Sequence, residues 1–149
     1  NEKINMNIDI FGTDIDNKAL ALANTGVYSN KDLLNIKLGL LLKYFTKKND
    51  QFKVNDNLKK QIKFSFFDLL DKSKSSPPES IFGNFDLISC RNALIYYKTN
   101  YQKIIFEKLY GSLNSGGYLV LGEAENIHED FKSKFSQVSN YCKVFKKIR

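Results

Sequence analysis

Short apolar runs alternate with segments of helical spacing along most of this chain, and this alternation narrows its possible folds more than any other feature. Four apolar runs have the length of strands: residues 5–11, 62–67, 85–89 and 118–121. Three segments repeat apolar residues at helical spacing: residues 18–24, 31–45 and 101–113. Strands that alternate with helices are typical of a parallel or mixed sheet covered by helices. We therefore predict an α/β fold.

Several smaller features extend this prediction. Gly26 follows the first helical segment and is expected to end it. Residues 51–55 alternate in polarity, which predicts a small antiparallel excursion before the second apolar run. Residues 72–80 combine serines with paired prolines and are expected to form an exposed loop. Near the C-terminus the pattern predicts a short helix at 131–135 and a strand at 141–148.

Acidic side chains stand where two of the predicted strands end, which is where open α/β sheets bind ligands. Asp14 follows the first strand. Its carboxylate can accept hydrogen bonds from both hydroxyls of a ribose, or it can cap the next helix, as Asp16 or Asn17 also can. Asp68 follows the second strand. It can meet an adenine amino group with Leu69 packed on the ring, or it can be an exposed turn acid.

The third predicted strand ends at Cys90 and is followed by Arg91 and Asn92. Arg91 is the only arginine before the terminal Arg149, although lysine and arginine together number 23. A guanidinium group can hold a carboxylate through two parallel hydrogen bonds, which lysine cannot do. Arg91 is therefore a candidate for a specific ligand contact. The alternative is a structural role, in which Arg91 caps a carbonyl group or pairs with a nearby acid.

The scarcity of cysteine and histidine argues against a metal site. The two cysteines, Cys90 and Cys142, lie in separate segments without a neighbouring cluster of ligands. The sequence does not decide whether they form a disulfide, although two thiols in a chain of cytoplasmic type are more often reduced. The single histidine, His128, lies in a polar stretch and is expected to be a solvated surface residue.

The formal net charge of +7 favours acidic partners. The lysines are dispersed, however, and an arginine-poor surface lacks the usual base-reading side chain, so we expect no nucleic-acid partner. No apolar run approaches the roughly 20 residues of a membrane helix, so membrane insertion is not expected. The first residues also lack the layout of a signal peptide. The expected compartment is the cytoplasm.

The order of several segments resembles the CheR chemoreceptor methyltransferases, from Ile8 to about Lys146. The resemblance is carried by the segments GTDIDNKALALANTGVYS, LLKYF, FSFFDLL, FDLISCRNALIYY and LNSGGYLVLGEAENI. These enzymes transfer a methyl group from S-adenosylmethionine to glutamate side chains of receptor proteins in chemotaxis or related signalling. The resemblance implies a Rossmann-like methyltransferase sheet with helices on both faces and a chemoreceptor-like protein substrate. It also implies a small β-subdomain at residues 44–62, where some members dock a receptor peptide.

The same resemblance implies roles for particular residues. Asp14 would hold the ribose, and Asp68 with Leu69 would border the adenine. Arg91 and Asn92 would line the pocket for cofactor and acceptor, and Tyr96 would stand close to the reacting methyl group. A glutamate is already ionised near pH 7, so the reaction needs alignment rather than a general base. Whether Arg91 holds the acceptor carboxylate or the cofactor carboxylate stays open.

The chain also departs from the family pattern. A Gly-Glu-rich loop that cradles the methionine end of the cofactor is not found in residues 1–149, which are therefore expected to be a partial catalytic domain. Two interior strand edges would then lack a partner, which predicts strand exchange between copies, an altered sheet or a partner segment. Cofactor binding by this chain alone is expected to be weak or undetectable.

A second departure is the pair Glu123-Ala124, where relatives often carry histidine or serine. It adds a negative charge near the expected pocket. One alternative function is a degenerate methyltransferase-like binding or sensory module without turnover. Another is transfer to an acceptor other than glutamate.

Overall fold

The computed structural model describes residues 8–80 and 83–148. The chain divides into two compact units. The first comprises Asn1–Phe67 and Pro77–Glu79, and the second comprises Asp68–Ser76 and Ser80–Arg149. Each unit has its own sheets and is described separately.

The elements of the first unit are β1 (Ile10–Asp14), α1 (Asn17–Thr25), β2 (Val27–Ser29), α2 (Leu38–Tyr44), β3 (Phe45–Lys48), β4 (Gln51–Val54), α3 (Asp56–Lys59) and β5 (Ile62–Phe66). Those of the second unit are β6 (Phe85–Cys90), α4 (Thr99–Ser112), β7 (Leu113–Leu121), β8 (Phe135–Gln137) and β9 (Val144–Lys147). Single 3-10 turns occur at Asn30–Leu33, Leu94–Tyr96 and Glu129–Lys134.

In the first unit β1 and β5 pair in parallel, with Gly12 opposite Phe64. The predicted strand at 5–11 was placed too early, because β1 runs on to Asp14; its predicted residues 5–7 lie outside the described part of the chain. Glycine suits position 12 because the Phe64 ring occupies the space of a side chain there. A Cβ added to residue 12 would lie 2.5 Å from that ring. Asp14 is the last residue of β1.

Helix α1 has the bounds that its caps dictate. It begins after Asp16, whose side chain accepts a hydrogen bond from the Lys18 N–H at 2.8 Å. It ends at Gly26, which adopts the left-handed conformation at φ 66°. The predicted helix and its glycine stop are confirmed.

The helix predicted at 31–45 is confirmed only in its second half, as α2. The Ser29 N–H and hydroxyl both donate to the Asp32 carboxylate, at 2.8 and 2.7 Å, and start a separate 3-10 turn. The backbone then leaves helical geometry at Lys37, with ψ 134°, before α2 begins. Leucines 34, 38 and 42 are 79, 68 and 74% exposed, so their helical spacing did not mark a buried face.

A small antiparallel sheet of order β2-β4-β3 completes the first unit. The alternation at 51–55 correctly predicted β4, with Phe52 paired to Tyr28 on one side and to Lys47 on the other. The range 44–62 contains β3, β4 and α3, whereas the third strand of this sheet, β2, precedes that range.

The second unit is a four-stranded mixed sheet of order β6-β7-β9-β8. β6 and β7 are parallel, and the remaining pairs are antiparallel. Helix α4 supplies the centre of the core, where Ile105 and Phe106 are fully buried. Leu119 of β7 and Phe131 of the last 3-10 turn belong to the same apolar cluster. This packing fixes the end of β6 from which the candidate site begins.

The C-terminal predictions were correct in kind but not in detail. Residues 115–117 do not close α4 as a loop but belong to β7, which follows the helix directly and admits Gly116 at φ 78°. The short helix at 131–135 is a 3-10 turn, Glu129–Lys134. The terminal strand is shorter than predicted, and the strand β8 was missed.

The predicted α/β architecture is confirmed, with both parallel and antiparallel pairing. β1 and β6 belong to different sheets, and within residues 8–80 and 83–148 each pairs with a single strand. The two unpaired interior edges and the strand exchange expected from the sequence stay predictions. No helix in the described part of the chain is long and apolar enough to cross a membrane.

Candidate functional site

The predicted site residues divide between the two units. Asp14 ends β1 in the first unit, whereas Asp68, Arg91 and Tyr96 belong to the second. Arg91 and Asn92 directly follow β6, and Tyr96 ends the 3-10 turn that comes next along the chain. It describes Asp14 as part of a separate sheet.

The Asp14 side chain is exposed and locally fixed. Its Oδ1 accepts a hydrogen bond from the Asp16 N–H at 2.9 Å. Its backbone carbonyl accepts from the Phe67 N–H at 3.1 Å and extends the β1–β5 pairing to the strand end. Asp16, not Asp14, is the residue that caps α1. The Asp14 carboxylate is therefore held at the end of β1 and is accessible to a ligand.

Within the second unit, Lys108 fixes the segment that begins at Asp68. Its Nζ donates to the backbone carbonyls of Asp68 and Asp71 at 3.1 and 2.6 Å. The Asp68 carboxylate accepts from the Leu70 N–H at 2.8 Å and closes a tight local turn. Leu69 is half-buried and packs against the apolar core, so only part of its side chain is open to a ligand.

The segment after β6 combines exposed polar side chains with a buried leucine, Leu94. Arg91 is exposed, and Asn92 adopts a positive φ of 56°, which is uncommon for residues other than glycine. Leu94 is only 2% exposed and anchors the 3-10 turn that leads to Tyr96, whose side chain is 81% exposed. The Gln102 side chain ties this turn to α4 by donating to the carbonyl of Leu94 at 3.0 Å.

Sequence reasoning missed the residue that organises this turn, Glu125. Its side chain is buried, with 4% exposure, in the loop after β7. Its Oε2 accepts from the backbone N–H groups of Asn92 and Gly122 at 2.9 and 2.6 Å, and its Oε1 accepts from that of Leu94 at 2.7 Å. Because two of these partners lie 33 and 31 residues away in the chain, no local pattern could identify them.

Cys90, the last residue of β6, has an unreactive thiol. Burial, and secondly the nearby Glu125 carboxylate, raise the pKa of the Cys90 thiol to about 11. The thiol is therefore protonated at neutral pH and is a poor nucleophile. Both cysteines are free in this structure, and Cys142 is exposed.

His128 is less exposed than the sequence predicted. The ring is half-buried and lies 6.2 and 6.4 Å, centroid to centroid, from those of Phe106 and Phe131. Its Nδ1 accepts from the Asp130 N–H at 3.3 Å and caps the last 3-10 turn. His128 therefore acts in packing and capping. Within residues 8–80 and 83–148, no cluster of three potential metal ligands occurs.

Two open cavities of the second unit adjoin the turn after β6. A cavity of about 270 Å³ is lined by Arg91, Glu123 and Tyr141 among others. A larger one of about 660 Å³ is lined by Ile95, Glu125 and neighbouring residues. Arg91 and the 3-10 turn therefore border different depressions.

Comparisons with known proteins bear on the chemistry of this site. A family model described as CheR methyltransferase, SAM binding domain, matches residues 1–144. The chemotaxis protein methyltransferase of Borreliella burgdorferi is 28% identical over 142 residues, which are 95% of this chain and 48% of that protein. The chemotaxis protein methyltransferase of Vibrio parahaemolyticus is 34% identical over 125 residues, which are 80% of this chain and 42% of that protein.

The probable chemotaxis protein methyltransferase of Rhizobium etli is 30% identical over 133 residues. These are 87% of this chain and 47% of that protein. The chain therefore spans less than half the length of these curated relatives.

Proposed function

Because this chain belongs to the CheR methyltransferase family, matched through its S-adenosylmethionine-binding domain, we propose that the intact protein methylates glutamate side chains of chemoreceptor-type proteins. The observation that carries this proposal is the family match over residues 1–144. The turn after β6, with its exposed Arg91 and Tyr96, supports it. Chemotaxis or related signalling is the corresponding process.

Asp14 in the first unit, and Asp68 with Leu69 in the second, each have the chemistry that one part of the nucleoside half of S-adenosylmethionine requires. Asp14 offers an exposed carboxylate that its backbone bond to Asp16 holds in place. Carboxylates accept hydrogen bonds from the hydroxyls of a ribose. Asp68 and the half-buried Leu69 offer a polar group and an apolar surface side by side, as an adenine ring requires. We assign the ribose to Asp14 and the adenine to Asp68 and Leu69.

The turn after β6 suits the acceptor side of the reaction. When bound, S-adenosylmethionine supplies a methyl group already activated on a sulfonium centre. Arg91 carries a permanent charge and can align a carboxylate through two hydrogen bonds. Asn92 and the Tyr96 hydroxyl add neutral hydrogen-bonding groups in the segment that follows Arg91. Because a glutamate is ionised near neutral pH, these residues need to orient it rather than deprotonate it.

A chemoreceptor-like substrate is part of the same proposal, and relatives named chemotaxis protein methyltransferases support it. Docking of a receptor peptide on the β2-β4-β3 sheet stays a prediction. The competing function is a binding or sensory module that keeps Asp14 and Asp68 without turnover. Methyl transfer by the intact protein separates the two.

Replacing Asp14 by alanine in the intact protein is expected to weaken binding of S-adenosylhomocysteine by about tenfold or more. A hydrogen bond to a charged group contributes about 1.5–3 kcal/mol, and alanine removes its acceptor. Isothermal titration calorimetry of both proteins measures the difference. Stability should change little because the Asp14 side chain is exposed.

Asp16→Asn is the matched control. It removes an equally exposed carboxylate of the same turn but leaves a good helix cap, so affinity should stay close to that of the unaltered protein. Equal affinities of Asp14→Ala and the unaltered protein would contradict the assignment of the ribose to Asp14.

A further inference from the structure

We propose that Glu125 is a positioning residue for methyl transfer, which fastens the Arg91–Asn92 turn to the loop after β7 from beneath. The inference rests on the function proposed above and adds a residue that the family resemblance did not bring to attention. The hydrogen bonds that Glu125 makes with the turn come from the backbone N–H groups of Asn92 and Leu94. Its carboxylate would act on the reaction through Arg91 and Asn92.

The contacts of Glu125 explain why a carboxylate stands in this place. Burying an ionised group is costly unless hydrogen bonds replace its water shell. Here three backbone N–H groups donate to it, those of Asn92, Leu94 and Gly122, at 2.6–2.9 Å. Bonds to an ionised acceptor are roughly twice as strong as neutral ones. The carboxylate therefore holds two loops together at one point.

The backbone of Asn92 has a left-handed conformation, which residues other than glycine seldom adopt, although asparagine adopts it several-fold more often than most. The Glu125 carboxylate holds the N–H of Asn92 itself and that of Leu94, two residues on. Loss of both bonds frees Asn92 to leave φ 56°, which would redirect the Arg91 side chain that precedes it.

Gly122 makes the close approach of the two loops possible. A Cβ on this residue would clash with Asn92 Oδ1 and would lie 2.8 Å from Glu125 Oε2 and 3.0 Å from the Asn92 nitrogen. Only glycine fits between the carboxylate and the turn. Gly122 and Glu125, both in the loop after β7, therefore act together to hold the backbone of Asn92 and Leu94 after β6.

Glu125→Gln in the intact protein tests this inference. Glutamine has the same shape, but its amide NH₂ would face at least one backbone N–H that now donates to a carboxylate oxygen. We expect kcat for methyl transfer to fall about 10- to 100-fold, because small misplacements of aligned groups have effects of that size. We also expect faster hydrogen exchange at the Asn92 and Leu94 amides, followed by NMR.

Lys147→Met is the matched control for a general loss of stability. The Lys147 Nζ is also held by backbone groups of the second unit, the carbonyls of Tyr110 and Leu113, both at 2.7 Å. Its removal should lower stability while leaving kcat and the exchange of Asn92 and Leu94 unchanged. Should Glu125→Gln fail to fold, Gly122→Ala displaces the same carboxylate and carries the same two expectations.

The readouts separate the two proposals. Slower transfer and faster exchange in Glu125→Gln, without either change in Lys147→Met, support the positioning role. Unchanged exchange in Glu125→Gln overturns it, and so does faster exchange at an unchanged kcat. If the unaltered protein transfers no methyl group, the proposed function fails, and the exchange rates alone decide whether Glu125 fixes the turn.

Discussion

Replacing Arg91 by alanine in the intact protein is expected to lower kcat/KM for receptor methylation by about 100-fold or more. Preorganised donors that hold a reacting group contribute effects of this size. Arg91 is the only guanidinium in the described part of the chain, and its exposed side chain leaves the turn after β6 toward solvent. Arg91→Lys should recover little of the loss, because an ammonium group cannot reproduce two parallel hydrogen bonds.

The control for this prediction is an exposed cation away from the turn. Lys146 lies on β9 with its Nζ 5.8 Å from the centroid of the Tyr118 ring, and Lys146→Ala should keep full activity. Neither variant should lose much stability, because both side chains are exposed. Methylation kinetics are measured at varied concentrations of receptor and of cofactor. They show whether Arg91 holds the carboxylate of the acceptor glutamate or that of the cofactor. Full activity of Arg91→Ala would contradict any ligand role.

Phe106→Ala is expected to have the largest effect on stability, a loss of about 3–5 kcal/mol in the free energy of unfolding. The Phe106 side chain is fully buried on α4, and its ring lies 5.8 Å from that of Phe131, centroid to centroid. Alanine would leave a cavity in the middle of the second unit, where the sheet and helix cannot close around it. Urea unfolding followed by circular dichroism measures the loss.

Tyr101→Ala on the same helix is the control. Tyr101 is 43% exposed and is expected to lose far less, since part of its surface already faces water. Equal losses for the two variants would mean that α4 does not form the centre of this core.

The sequence predicted the order of elements better than their limits. Alternating polarity identified β4, and the capping residues around α1 identified that helix, because both signals are local. The first half of the helix predicted at 31–45 is not helical as predicted, also for a local reason. The Ser29–Asp32 hydrogen bonds and the extended Lys37 break the helix, although the apolar spacing continues through them.

The candidate site was predictable only in part. The position of Arg91 after a strand follows from sequence, because an apolar run visibly ends there. The positive φ of Asn92 and the buried Glu125 beneath it do not, because they arise from two loops more than 30 residues apart. Glu125 lies in a polar stretch, and only the packing of the loop after β7 reveals that it is buried.

Base-labile methyl transfer is the measurement that tests the central claim most directly. The intact protein is incubated with methyl-labelled S-adenosylmethionine and a chemoreceptor cytoplasmic domain, and label released from the receptor by mild base is counted. We predict label on receptor glutamates that is released by base, as an ester is, and its loss when those glutamates are replaced by alanine. A folded, cofactor-binding protein that leaves every receptor glutamate unlabelled would contradict the account.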